Sequence, residues 1–138
     1  MVITSQITID TRGNGDMLDI TAEVVNQVAR ADIESGIVTI FVAGSTAGVT
    51  TIEYEPGLEK DFTALMEKIA PHNVPYQHDA RWGDANGYAH VRASLLGPSL
   101  VVPFRKKKLL LGTWQQIVVV DFDNRLRRRE VILQIMGD

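Results

Sequence analysis

The sequence predicts one α+β domain over residues 1–138: a mixed or antiparallel sheet with helices packed against it and a C-terminal β-meander. Three observations predict it. Helical periodicity is confined to the first two-thirds of the chain, the last third is short β-branched runs separated by turns, and the strand–helix–strand alternation of a parallel sheet is missing. A chain of 138 residues fits a single domain and is long enough to fold on core burial alone. No repeat or low-complexity linker divides it.

The elements follow in order. "MVITSQITID" carries the β-branched pattern of a first strand. "TRGNGDMLD" is turn chemistry, with Gly13 and Gly15 free to take positive φ. Asp19 or Thr21 can cap a helix whose residues Ile20, Val24, Val28 and Ala31 share one face, with Glu23 in its first turn. "IVTIFVA" reads as a buried strand, "GSTAGV" as a turn and "TTIEYE" as the next strand. Pro56 and Gly57 open a second helix with Leu58, Phe62, Leu65 and Ile69 on its stripe, and "PHNVP" ends it. Residues 71–88 show neither period and read as a long loop, the kind of segment that carries function. "AHVRASLL" is a short helix, and "SLVVPF", "KLLLG", "TWQQIVVVDFD" and "RREVILQIMG" are four strands in succession.

Composition narrows the function classes. The net charge of −3 gives no broad electrostatic case for nucleic acid. The chain has no cysteine, which removes disulfides, thiol nucleophiles and cysteine-bound zinc and is compatible with a reducing compartment. The first ten residues lack a basic leader with a long apolar run, and no stretch approaches the ~20 apolar residues of a membrane span. The expectation is a soluble, cytoplasmic protein with no nucleic-acid or membrane partner.

Four groups of residues carry candidate chemistry. His72, His78 and His90 are the only histidines and show no paired zinc spacing. His90, near a helix start, suits a metal ligand, a general acid/base or a phosphate contact, and equally a partly buried structural histidine. His78 is similar, and His72, beside a proline, reads as exposed. Glu53 and Glu55 would share a strand face, as a metal or base pair or as a solvated edge. In "VVVDFDNRLRRR", Asp121 and Asp123 share a face, and Arg125, Arg127 and Arg129 form either a fork for phosphate or a charged strand edge. "RKKK" at 105–108 reads as a hairpin turn. In "GTWQQI", Trp114 reads as buried, with Gln115 on the opposite face; "GSTAG" is a weak anion nest.

Together "GSTAGVTTIEYEPG", "YQHD", "NGYAHVRASLLGPS", "GTWQQI" and "DFDNRLRRR" span almost the whole chain in one order, and the sequence resembles the YjbQ-like family, small proteins described as secondary thiamine-phosphate synthases. The resemblance implies an α+β homotrimer with a divalent metal, magnesium or zinc, and a small phosphorylated substrate. It implies a transferase that joins a pyrimidine diphosphate to a thiazole phosphate and releases pyrophosphate. By position it gives His78 and His90 as metal ligands, His78, His90 and Glu53 as catalytic, and Asn86, Gln115, Arg125 and Arg127 as substrate contacts; Arg92 joins these as a phosphate ligand. Where many members carry histidine this chain has Gly44 and Tyr88, so Glu53, Asp79 or water would complete the metal shell. The other readings are a metal-assisted hydrolase of another phosphorylated or acyl substrate, and a non-enzymatic trimer that binds a metal or small ligand.

Overall fold

The computed structural model describes all residues 1–138 and has the expected α+β character, with every strand pair antiparallel. The elements are β1 (Val2–Thr11), β2 (Asp16–Asp19), α1 (Thr21–Arg30), β3 (Ser35–Val42), β4 (Ala47–Ile52), α2 (Pro56–Ile69), α3 (Gln77–Trp82), α4 (Gly87–Leu96), β5 (Ser99–Arg105), β6 (Lys108–Leu109), β7 (Gln116–Asp121) and β8 (Arg127–Gly137).

They form two sheets, β1-β8-β3-β5-β6 and β2-β7-β4. The C-terminal strands are therefore not a meander. β5 and β6 make a hairpin through Lys106 and Lys107, both at positive φ, but β7 leaves for the smaller sheet and β8 returns between β1 and β3. The reason is burial. "IVVV" has no polar face to turn outward, so β7 needs cover on both sides. Ile117 and Val119 face the core between the sheets, and Val118 and Val120 face a second core under α2 and α4.

The main core is closed by α1, where Ile20, Val24, Val28 and Ala31 are all buried at the predicted spacing. The N-cap position is Ile20, which has no capping side chain; Asp19, one residue before it, accepts from the Thr21 N–H and hydroxyl at the helix start. α2 turns differently from its predicted stripe. Met66 is buried, Leu58 and Phe62 are half-buried, and Leu65 and Ile69 face outward; the buried face follows 58, 62 and 66. The segment 44–55 is also shifted. β4 starts inside the expected turn and ends at Ile52, leaving Glu53 and Glu55 outside the strand, and Glu55 caps α2 by accepting from the Gly57 and Leu58 N–H groups. Trp114 is 70% exposed rather than buried.

Candidate functional site

Two elements fill what the sequence presents as a loop. α3 lies within residues 71–88 and brings His78 against α4, which carries His90. The two imidazole centroids are 4.4 Å apart. The crossing depends on Gly87, where a Cβ would lie 2.6 Å from Tyr76 Cβ and 3.0 Å from Asp79 Oδ1. Its N–H donates to Asp79 Oδ1 at 2.8 Å, fixing that carboxylate at the helix crossing.

His78 Nδ1 is buried without a hydrogen-bond partner. It lies 3.7 Å from Asp79 Oδ1 and 3.5 Å from Asp84 Oδ1, and donor atoms of these three residues fall within 4.8 Å of one another. A buried polar atom left unpaired is costly. An orphaned imidazole nitrogen facing two carboxylates fits a divalent cation, and the mixed nitrogen and oxygen donors favour zinc or another transition metal over magnesium.

The loop that presents Asp84 is held tightly. Gly83 and Ala85 both have positive φ, at 68° and 55°, and alanine is strained there. The Asn86 N–H donates to Asp84 Oδ1, and Asn124 Nδ2 donates to the Asp84 carbonyl. Asn86 then anchors the whole segment to the sheet: its Nδ2 donates to Asp123 Oδ2 at 3.2 Å and its Oδ1 accepts from the Asn124 N–H at 3.1 Å.

Behind Asn86 is a buried ionic network. Arg129 grips Asp121 with two parallel bonds, Nε to Oδ2 at 2.8 Å and Nη2 to Oδ1 at 2.9 Å, and also donates to Thr46 Oγ1. Thr46 and Arg127 donate to Asp123 Oδ2, while Asp123 Oδ1 has no partner. Burial pushes the Asp123 carboxyl up, but the donors from Thr46, Arg127 and Asn86 outweigh it and hold it below its ordinary value. Gly44 abuts this network: a Cβ there would lie 2.6 Å from Arg129 Nη1. The arginine tip thus occupies the space a side chain at position 44 would need.

The expected site residues thus separate. His78, His90 and Asn86 come together on α3 and α4. Glu53 is exposed, makes no hydrogen bond or ion pair, and does not join them; the acids beside His78 are Asp79 and Asp84. Arg92 is buried and donates to the Ala70 carbonyl and Glu67, with its guanidinium 5.0 Å over the Tyr88 ring. Gln115 accepts from the Gly112 N–H and donates to Thr51, which makes it a loop brace. Arg125 is exposed on the β7–β8 turn, and Arg127 is half-buried on Asp123. The sequence pointed to Asp79 but not to Asp84, whose only sign was the turn-forming "GDANG" around it.

The comparisons with known proteins agree with the course of the chain. The family described as UPF0047 protein YjbQ-like matches residues 5–138. The chain belongs to this family. A UPF0047 protein of Archaeoglobus fulgidus is 37% identical over 127 residues, which is 92% of this chain and 97% of the relative. One from Methanocaldococcus jannaschii is 33% identical over 94% of this chain and 91% of the relative. Among solved structures, a YbjQ-like protein of unknown function from Sulfolobus solfataricus P2 superposes with a TM-score of 0.94 at 33% identity, covering 100% of this chain and 99% of that one. A hypothetical protein of Aeropyrum pernix K1 gives 0.90 at 30% identity, over 99% of each chain. The UPF0047 family therefore fixes fold and ancestry. No helix of this member is long and apolar enough to cross a membrane.

Proposed function

We propose that this UPF0047 protein is a metal-dependent enzyme for a small phosphorylated substrate, with His78, Asp79 and Asp84 holding a divalent cation and His90 beside them. The observation that carries the reading is the unpartnered His78 Nδ1 between two carboxylates, against a second imidazole. Resemblance to the family supplies the finer reading, a thiamine-phosphate synthase-type transfer. In it the carbon–oxygen bond to the pyrimidine's diphosphate breaks, a carbon–nitrogen bond to the thiazole forms, and pyrophosphate leaves. A bound divalent cation offsets charge that builds on the departing diphosphate.

The chain's own residues have distinct parts in this. Asn86 positions the Asp84 loop against the sheet, and His90 presents a ring without a hydrogen-bond partner to the substrate side. Arg127, half-exposed on Asp123, and Arg125, free on its turn, offer forked donors for a phosphate. Glu53 and Gln115 enter only if a neighbouring copy brings them near. A homotrimer is the proposed assembly. It is supported by the uncovered outer face of the larger sheet, where Val2, Ile37, Phe41, Val101 and Met136 are exposed across four paired strands. The proposed compartment is the cytoplasm, where small phosphorylated substrates are held.

The donor set favours one further reading. Imidazole with two carboxylates suits a transition metal, and so a metal-assisted hydrolase of a phosphorylated or acyl substrate. Incubation of the purified protein with both thiamine precursors and magnesium or zinc decides between them. Thiamine phosphate formed, and lost in His90→Ala, supports the transfer. Release of phosphate or acid from single substrates without condensation supports the hydrolase. Metal bound with neither reaction leaves a non-enzymatic metal-binding trimer.

A further inference from the structure

A second cluster of chemical groups lies away from α3, in a cleft of about 730 Å³ between α2 and the β1–β2 turn, a size typical of small-molecule sites. Lys60, Thr63 and Glu67 line it from one face of α2, at spacings of three and four residues. His72, just past the helix end, forms part of the wall.

His72 is held in a defined state. Its ring Nδ1 lies 2.7 Å from Glu67 Oε1, and its backbone N–H donates to the same oxygen at 3.1 Å. The other oxygen of Glu67 accepts from Arg92 Nη2 at 2.8 Å. Arg92 first, then the His72 N–H, hold the Glu67 carboxyl down at about 2, so it is a pure acceptor at any working pH. Neutral His72 must then carry its proton on Nδ1 and a lone pair on Nε2, which has no protein partner. That is the orientation of a general base steered by a carboxylate.

The charges around this base nearly cancel. Arg12 pairs with Asp16 across the β1–β2 turn, Arg92 backs Glu67, and Glu59 and Lys60 are neighbours on α2. Tyr54, Tyr88 behind the His72 ring, and Tyr76, whose hydroxyl donates to the Pro71 carbonyl, are phenols that burial raises. Such a wall gives no attraction for a diphosphate or nucleic acid and suits an uncharged molecule. Lys60 and Thr63 add donors for an oxygen that gains negative charge.

We infer that this cleft is a second catalytic site, in which His72, oriented by Glu67, drives hydrolysis of small uncharged esters. Nε2 takes a proton from water as the hydroxide forms a bond to the carbonyl carbon. The carbon–oxygen bond to the alcohol then breaks, and the proton goes to the leaving group or solvent. No metal or oxidant is required.

The test uses the full chain, freed of metal with a chelator, and p-nitrophenyl acetate as the probe. The expected rate saturates with ester concentration and exceeds that of free imidazole at equal concentration. His72→Gln leaves the Arg92–Glu67 pair in place and is expected to lower the rate about 100-fold, the lower end of what a positioned base supplies. Glu67→Gln lowers it as well, with thermal unfolding recorded to separate loss of steering from loss of fold. A rate linear in ester, or one that falls less than tenfold in folded His72→Gln, overturns the inference.

Discussion

Arg129→Met tests whether the buried network, rather than hydrophobic packing alone, holds the floor beneath the site. Asp121 has no exposed surface, and Arg129 supplies two charge-assisted bonds to its two oxygens. After the substitution Asp121 keeps only the Thr11 hydroxyl and the Asp123 N–H. Methionine replaces much of the arginine stem, so the lost energy is mainly that of an uncompensated buried carboxylate, about 3–5 kcal/mol. For a chain of this length that is a fall in Tm of roughly 10–18 °C. Urea unfolding followed by circular dichroism gives the free energy directly, provided the m-value is unchanged. The double variant Arg129→Met/Asp121→Leu removes both charges and is expected to recover at least half of the loss. A single variant less than about 1 kcal/mol below the parent would refute the reasoning, as would a double variant less stable than the single.

Other substitutions probe the remaining links. Asn86→Ala cuts the tie between the Asp84 loop and Asp123 and leaves the chain folded; calorimetric titration with zinc is expected to show affinity about 10–100-fold weaker. Ala85→Gly relieves a positive φ of 55° and is expected to stabilise by up to about 1 kcal/mol in urea melts. Gly87→Ala pushes into Tyr76 and Asp79 and lowers stability by about 1–3 kcal/mol, with the amide signals of α3 shifted in NMR spectra. In acid, Glu67 has its folded pKa lowered from 4.5 to about 2 and Asp123 is lowered from 3.8. Both contribute stability above their unfolded values that is lost as pH falls through the folded ones. Melts should therefore weaken progressively from about pH 4.5 toward 2, and less steeply in Glu67→Gln.

The sequence revealed what local periodicity controls. Ile20, Val24, Val28 and Ala31 announced α1 because burial repeats with the helical turn, and Pro56 announced the start of α2. It missed α3, because "QHDARW" is too short and too polar for a period to emerge between two loops. It misassigned the C-terminal strands for a different reason: "IVVV" says that β7 is buried on both faces but not which sheet supplies the cover. At the site, His78 and His90 were legible as rare residue types, His78 in the predicted loop and His90 near a predicted helix start. Asp84 was not, since its place depends on two positive-φ residues and a bond from Asn124, 40 positions away. Arg129 looked like one member of an exposed fork. Only the pairing of β8 between β1 and β3 turns it inward onto Asp121.

The most direct test of the proposed site is zinc binding at neutral pH, read by isothermal calorimetry and by metal analysis after dialysis, for the parent chain and for His78→Ala and His90→Ala. The site predicts one ion per chain in the parent, its loss in His78→Ala, and weakened binding in His90→Ala, with Tm little changed in either variant. No saturable binding in the parent, or equal binding by all three proteins, would contradict it.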